Sequence, residues 1–370
     1  MFWSVLLPLI AFYPARAQRS LSGETQIRSA LEGLDTVGSV LMIAAHPDDE
    51  NTALLVYLAR GRHLRTGYLS LTRGEGGQNL IGSEQGDQLG VIRTQELLAA
   101  RRIDGAEQYF TRAIDFGFTK TASETLTKWP REQVLGDIVW GIRRFRPDVV
   151  ILRFSGTPRD GHGQHQASAI LGKEAYTAAA DPARFPEQLQ WVQPWQAKRL
   201  MYNTATFTAA QEKEAASQAD RMEVDLGAYS PELGYSYGEI AGMSRSQHRS
   251  QAMGTAERKG SQKNYLITLA GDKATTDIFQ GIDTSWSRLP GGAEVRTLIE
   301  QAQAAFVPQH PEALLPILAK VRPLIATAAQ KDALAGRKLR ELEETMALCA
   351  GLWLDAGADK YAVTPGGNTK

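Results

Sequence analysis

Val40-Leu41-Met42-Ile43-Ala44-Ala45-His46-Pro47-Asp48-Asp49-Glu50 decides the fold of this chain. The first six residues are apolar or small, which suits a short buried strand. A strand that ends in a histidine and two aspartates puts metal ligands and a possible general base at one edge of a sheet. A second polar group, His162-Gly163-Gln164-His165, lies more than a hundred residues later and also follows a strand-like run, Val149-Val150-Ile151-Leu152.

The flanking sequence extends the same pattern. The first strand is predicted over 36–45, a helix over 51–61 that stops at Gly61, and a second strand over 63–72. Helices are predicted over 91–102 and 129–145, a strand over 148–154, a helix over 167–180 and a strand over 199–203. Strands alternating with helices argue for a parallel α/β sheet. Past residue 290 the chain reads as all helical. Leu339, Leu342, Met346, Cys349 and Trp353 make one apolar stripe there. The expected organisation is residues 1–17 as a signal peptide, 36–290 as the α/β domain, and 291–370 as a helical region with a disordered tail over 363–368.

Composition narrows the function classes. The 370 residues carry 41 basic and 41 acidic side chains, a formal net charge of zero, which argues against nucleic acid or an anionic membrane as the main partner. Cys349 is the single cysteine, so neither an internal disulfide nor a cysteine metal site is available. Phe2 to Phe12 is almost continuously apolar and Ala15-Arg16-Ala17 has the form of a cleavage site, which predicts export to a secreted or periplasmic location. That stretch is too short to span a bilayer comfortably, and no later segment is apolar enough to be a stable membrane insertion. The oligomeric state is left open.

In open α/β sheets, ligands bind outside the carboxyl ends of the strands. His46 to Asp49, Arg73 to Glu75 and His162 to His165 all follow predicted strand ends. His46 and Asp49 are three apart, as are His162 and His165, a spacing that turns two side chains the same way. Two histidines and a carboxylate form a known catalytic zinc set with an open position, and a further carboxylate or histidine can move protons beside it. A plain polar turn with Asp49 as a helix cap is the structural alternative. Arg93 and Glu96 share a helix face, where a solvated ion pair is the default. His248 suits a structural hydrogen bond or a substrate contact equally. Gly74-Glu75-Gly76-Gly77 lacks the Gly-Lys-Ser/Thr of a phosphate loop, so Arg73 to Gly90 is expected to be a substrate loop or lid that shapes the pocket.

These residues also carry a family resemblance. Ala45-His46-Pro47-Asp48-Asp49-Glu50 resembles the first motif of the PIG-L/LmbE-like zinc-dependent N-deacetylases. Gly161-His162-Gly163-Gln164-His165 resembles the second, whose usual form is Gly-His-Pro-Asp-His, with Gly163 and Gln164 standing where Pro and Asp are usual. Arg93-Thr94-Gln95-Glu96 and His248-Arg249-Ser250-Gln251 resemble a third and a fourth, so the likeness spans 38–265 in the right order. The resemblance implies a Rossmann-like three-layer sheet with helices on both faces. It implies a zinc ion on His46, Asp49 and His165, and Asp48 as general base. It implies His162 as proton donor or oxyanion stabiliser, and Arg93 near the substrate. The implied reaction removes an acetyl group from an N-acetylglucosamine-type sugar or glycoconjugate. Another metal-dependent amidase acting on an acylated conjugate, or a non-catalytic carbohydrate-binding protein, are the alternatives.

Overall fold

A computed structural model describes residues 23–206 and 208–354, together with 359, 364 and 366–368. The expected signal peptide, 1–17, and residues 363 and 365 of the expected tail lie outside the described residues. The chain divides into two compact units, one holding Gly38–Thr284 and the other Gly23–Val37 with Ser285–Lys370.

The chain opens with helix α1 (Gly23–Asp35), strand β1 (Ser39–Ala44), the short helix α2 (Thr52–Val56) with a π-helical turn at Tyr57–Gly61, and β2 (Arg65–Ser70). Helix α3 (Asp87–Asp104), β3 (Glu107–Phe110), α4 (Ala122–Lys128), α5 (Arg131–Phe145) and β4 (Val149–Leu152) follow. Next come α6 (Gly163–Ala178), β5 (Arg199–Asn203), α7 (Ala209–Ser217), β6 (Arg221–Asp225), the short pair β7 (Tyr229–Ser230) and β8 (Tyr235–Ser236), α8 (Tyr237–Arg245) and β9 (Lys263–Gly271). Helices α9 (Gly292–Ala305), α10 (Leu315–Ala329) and α11 (Ala333–Cys349) complete it.

The main sheet has seven strands in the order β3-β2-β1-β4-β5-β9-β6. The first five are parallel, as the alternation predicts, and β9 pairs antiparallel with both β5 and β6. The sheet is therefore mixed rather than wholly parallel. β1 shows why its residues make a central strand. Leu41 and Ile43 pack on one face with Val134, Ile138 and Leu171 of α5 and α6. Val40, Met42 and Ala44 pack on the other with Leu54, Leu55 and Leu97 of α2 and α3. A strand buried at every position has helices over both faces, which makes three layers.

Local chemistry sets the helix ends. Asn51, not Asp49, caps α2, its side chain accepting the Leu54 N–H at 3.1 Å. Gly61 is the last residue of that helical run, and a Cβ there would sit 2.5 Å from the Tyr237 ring. The predicted helix over 129–145 is preceded by a separate one, with Thr121 capping α4 and Pro130 standing before α5. α6 starts at Gly163, four residues earlier than predicted, so His165 lies in its first turn rather than in a loop.

The second unit packs Leu31 and Leu34 of α1 with Trp286, Ile299, Leu318 and Leu342. Trp286 Nε1 donates to the Leu34 carbonyl at 2.8 Å. Of the predicted stripe, Leu342 and Cys349 are buried, but Trp353 lies past the end of α11 and is 78% exposed. Among the described residues, no helix is long and apolar enough to cross a membrane.

Candidate metal centre

Strand order changes direction at β1. The chain builds outward from it through β2 and β3, then returns to place β4 on its other side. The crevice at such a switch point lies beyond the carboxyl ends of the two neighbouring strands. Ile43 pairs with Leu152 across β1 and β4, so the segments that follow both strands leave the sheet side by side. This is how His46 meets His162 and His165 despite their separation in sequence.

The turn after β1 is tightly specified. The His46 N–H donates to Asp49 Oδ2 at 2.7 Å, and the Asp49 N–H to the His46 carbonyl at 3.3 Å. Tyr68 Oη donates to that same carbonyl at 2.5 Å. Between them Asp48 takes φ = 93°, a left-handed conformation that costs a non-glycine residue on the order of 1–3 kcal/mol. Three contacts hold it there. Its N–H donates to Glu50 Oε2 at 2.9 Å, its carbonyl accepts from Arg245 at 2.9 Å, and its Oδ2 accepts from Arg93 at 3.0 Å.

His46, Asp49 and His165 each offer a ligand atom, all within 4.8 Å of one another. Asp49 Oδ2 faces His46 Nδ1 at 3.0 Å, and Asp49 Oδ1 faces His165 Nε2 at 3.3 Å. Burial alone would lower the His46 imidazole, but the Asp49 carboxylate outweighs it and raises the pKa to about 9. Burial alone would raise Asp49, yet His165 and His46 hold it well below the usual carboxylate range. One ring nitrogen of each histidine thus faces the Asp49 carboxylate. Two imidazoles and a carboxylate also suit a divalent cation with a position left for a ligand. The residues present fit a metal.

Asp48 stands beside this set, and burial raises its carboxyl pKa against the pull of Arg93. Arg93 is only 3% exposed. Its guanidinium contacts Asp48, the Pro47 carbonyl at 2.7 Å and the Gly74 carbonyl at 3.2 Å. The same-face ion pair with Glu96 does not form; Glu96 instead accepts from the N–H and Oγ of Ser250, each at 2.6 Å. His248 is fully buried and 3.2 Å from Glu50 Oε1, so its place is structural. Glu50 also accepts from Arg101 at 2.9 Å, and Arg101 pairs with Asp104 at 2.6 Å. Burial would raise Glu50, but Arg101 and His248 lower it strongly.

His162 caps α6, its Nδ1 accepting the Gln164 N–H at 3.0 Å. Its ring centroid lies 4.9 Å from that of His165 and 5.2 Å from that of His46. Burial, then the neighbouring His46 and His165, lowers it to about 4. Phe154 stacks on His165 at 3.9 Å, and exposed Phe118 meets His162 edge-on at 5.0 Å.

A cavity of about 1310 Å³ opens at the centre. Asp48, Asp49, His165, Arg153, Tyr202 and Arg245 are in its wall, whereas His46, His162 and Arg93 are not. None of residues 73–90 lines it, so the loop expected to shape the pocket does not border this cavity. Residues from 202–218 and 238–267 form much of its wall instead. Sequence reading missed Arg153, whose Nε donates to the Asp49 carbonyl at 3.1 Å, and Arg245 and Asp115. None of the three sits in a recognisable spacing; only the register of β4, the packing of α8 and the path of the 111–120 loop bring them in.

A three-layer α/β unit with a two-histidine, one-carboxylate cluster at its switch point defines the class: a fold carrying a candidate metal centre built from segments after β1 and β4. Within it, residues 41–176 match the PIG-L family, described as GlcNAc-PI de-N-acetylase. The chain is similar to the diacetylchitobiose deacetylase of Thermococcus kodakarensis, 31% identical over 153 residues, 41% of this chain and 54% of that protein. It thus spans about half the length of that relative. It is also similar to 1D-myo-inositol 2-acetamido-2-deoxy-alpha-D-glucopyranoside deacetylase 2 of Saccharopolyspora erythraea, 27% identical over 194 residues, 48% of this chain and 69% of that one. Among solved structures, N,N'-diacetylchitobiose deacetylase from Pyrococcus horikoshii matches with 20% identity and a TM-score of 0.42, covering 58% of this chain and 70% of that chain.

Proposed function

We propose that this chain is a metal-dependent N-deacetylase that removes acetyl from an N-acetylglucosamine-type sugar or glycoconjugate, with zinc as its ion. The observation that carries the reading is the meeting of His46, Asp49 and His165 within 4.8 Å, with Asp48 in the wall of the cavity that Asp49 and His165 also line. All four residues fall in the stretch that matches the PIG-L family. The names of the two curated relatives supply the substrate class.

His46, Asp49 and His165 would hold the cation. Bound there, a divalent ion supplies Lewis-acid polarisation of an amide carbonyl and makes a water more acidic. Asp48 takes a proton from the attacking water as the new C–O bond forms. It returns that proton to nitrogen as the C–N bond breaks, leaving acetate and a free amine. Arg93 orients the Asp48 carboxylate for this work. Because a backbone N–H can only donate, His162 Nδ1 is the acceptor and Nε2 carries the hydrogen. That N–H is a donor for the oxyanion of the tetrahedral intermediate. The cavity, about 1310 Å³, exceeds the roughly 300–1,000 Å³ of ordinary small-ligand pockets and suits a sugar with a second substituent. An exported location completes the proposal, on the apolar stretch Phe2 to Phe12 and Ala15-Arg16-Ala17.

The test is acetate release from N-acetylglucosamine and diacetylchitobiose by chelator-treated and zinc-restored protein. Activity should follow zinc content. Asp48→Asn should keep the metal and lose about 10²- to 10⁴-fold in kcat. Parent-rate turnover by the metal-free protein would refute metal dependence, and parent-rate turnover by zinc-loaded Asp48→Asn would remove Asp48 as base.

A further inference from the structure

Gln164 is completely buried, and its side-chain amide is bonded at both ends. Its Nε2 donates to Asp115 Oδ1 at 3.1 Å and to the Gly117 carbonyl at 2.8 Å. Asp115 Oδ1 also accepts the Gly117 N–H at 2.9 Å, which marks it as an acceptor. A carboxylate oxygen and a backbone carbonyl have no hydrogen to give. The amide is therefore fixed in one orientation, and its Oε1 must be the atom that faces His46 Nε2 at 3.0 Å.

An amide oxygen also only accepts, so the hydrogen in that contact belongs to His46 Nε2. This leaves His46 Nδ1 as the nitrogen turned toward Asp49 Oδ2, 3.0 Å away. His165 is set the opposite way. Its Nδ1 lies 3.2 Å from the Asp160 carbonyl, again an acceptor only, so its Nε2 is the nitrogen turned toward Asp49 Oδ1. The ring nitrogen that binds a metal is set by the hydrogen bond the other one makes.

We propose that Gln164 is a positioning residue for the metal centre, committing His46 to bind a divalent cation through Nδ1 while the Asp160 carbonyl commits His165 to bind through Nε2. The proposal rests on the reading of these histidines as ligands. It extends the centre into the loop that carries Asp115 and Gly117, since their acceptors fix the amide that fixes the imidazole. A partner of this kind holds both the tautomer and the ring plane of its ligand, and losing one lowers metal affinity about 10- to 100-fold.

The experiment uses the full chain, ¹⁵N-labelled at its six histidines and loaded with ¹¹³Cd(II). One-bond coupling between cadmium and nitrogen identifies the ligand atoms, and His46→Gln identifies the His46 signals by their loss. Coupling is expected at Nδ1 of His46 and Nε2 of His165. Gln164→Leu should weaken cadmium binding about 10- to 100-fold in chelator competition. Gln164→Glu, which keeps an acceptor against Nε2, should retain the Nδ1 coupling. Coupling at His46 Nε2, or parent affinity in a folded Gln164→Leu, overturns the assignment and leaves the metal centre standing. Absence of coupling to either histidine removes the metal centre and this inference with it. The coupling pattern of the unaltered protein decides the matter even if Gln164→Leu does not fold.

Discussion

Gly163 stands where the resembling motif usually has proline, and its surroundings explain the departure. Its N–H donates to the Thr119 carbonyl at 2.8 Å, a bond proline cannot make. A Cβ at this position would sit 2.2 Å from the Thr121 carbonyl oxygen. Gly163→Pro should therefore destabilise the protein by about 2–4 kcal/mol, combining a lost buried hydrogen bond with overpacking. Gly163→Ala keeps the N–H and should show the overpacking part alone. Denaturant midpoints of the two variants measure both parts, and a Gly163→Pro midpoint equal to the parent's would contradict the argument. At this scale the meeting of His46, Asp49 and His165 was legible because the two motifs that carry them each follow a strand end. The residues that hold them were not. Asp115 is an ordinary loop aspartate until the 111–120 loop folds against Gln164, and Arg93 reads as half of a helix-face pair until Asp48 takes it.

Elements follow the same division between local and distant causes. β1 and β4 were legible because a strand covered on both faces is apolar over nearly all its length. β9 and β6 were not, since their outer residues alternate irregularly between buried and exposed and their pairing is antiparallel on the far side of β5. α6 was begun too late because His162 and Gln164 look like loop residues, yet His162 is the cap of the helix. The loop after β2 is another case of distant fixing. Glu96 on α3 accepts from both the N–H and the Oγ of Ser250, and the Ser250 carbonyl accepts the Leu80 N–H at 2.8 Å. This clip ties the loop to α3 through the turn at Arg249–Gln251. Glu96→Ala takes the acceptor away from the N–H and the hydroxyl hydrogen of a fully buried serine, at about 1–3 kcal/mol for each. Hydrogen–deuterium exchange should rise in residues 74–86 and 246–255 and stay near parent values in β1 and β4. Uniform exchange across all of them would show that the clip does not govern the loop.

Across the whole molecule, every proposed ligand and the proposed base lie in the unit Gly38–Thr284, and they come from the two halves of its sheet. The β1 side supplies His46, Asp48 and Asp49, and the β4 side supplies His165. A cation bound by both is therefore a cross-link that exists only in the folded chain. Ligands specific to the native state stabilise it by mass action, about 2.7 kcal/mol at a hundredfold excess over Kd. For a unit of this size that corresponds to a rise in Tm of roughly 5–10 °C. Adding zinc to chelator-treated protein should produce that rise. Asp49→Ala removes the carboxylate that faces both imidazoles and should abolish most of it. The quantity to compare is the zinc-induced change in Tm within each protein, because Asp49→Ala alters the starting stability through its lost bond to the His46 N–H. An equal zinc-induced rise in parent and Asp49→Ala would mean that the ion binds elsewhere, and the link between the two halves of the sheet would then need another cause.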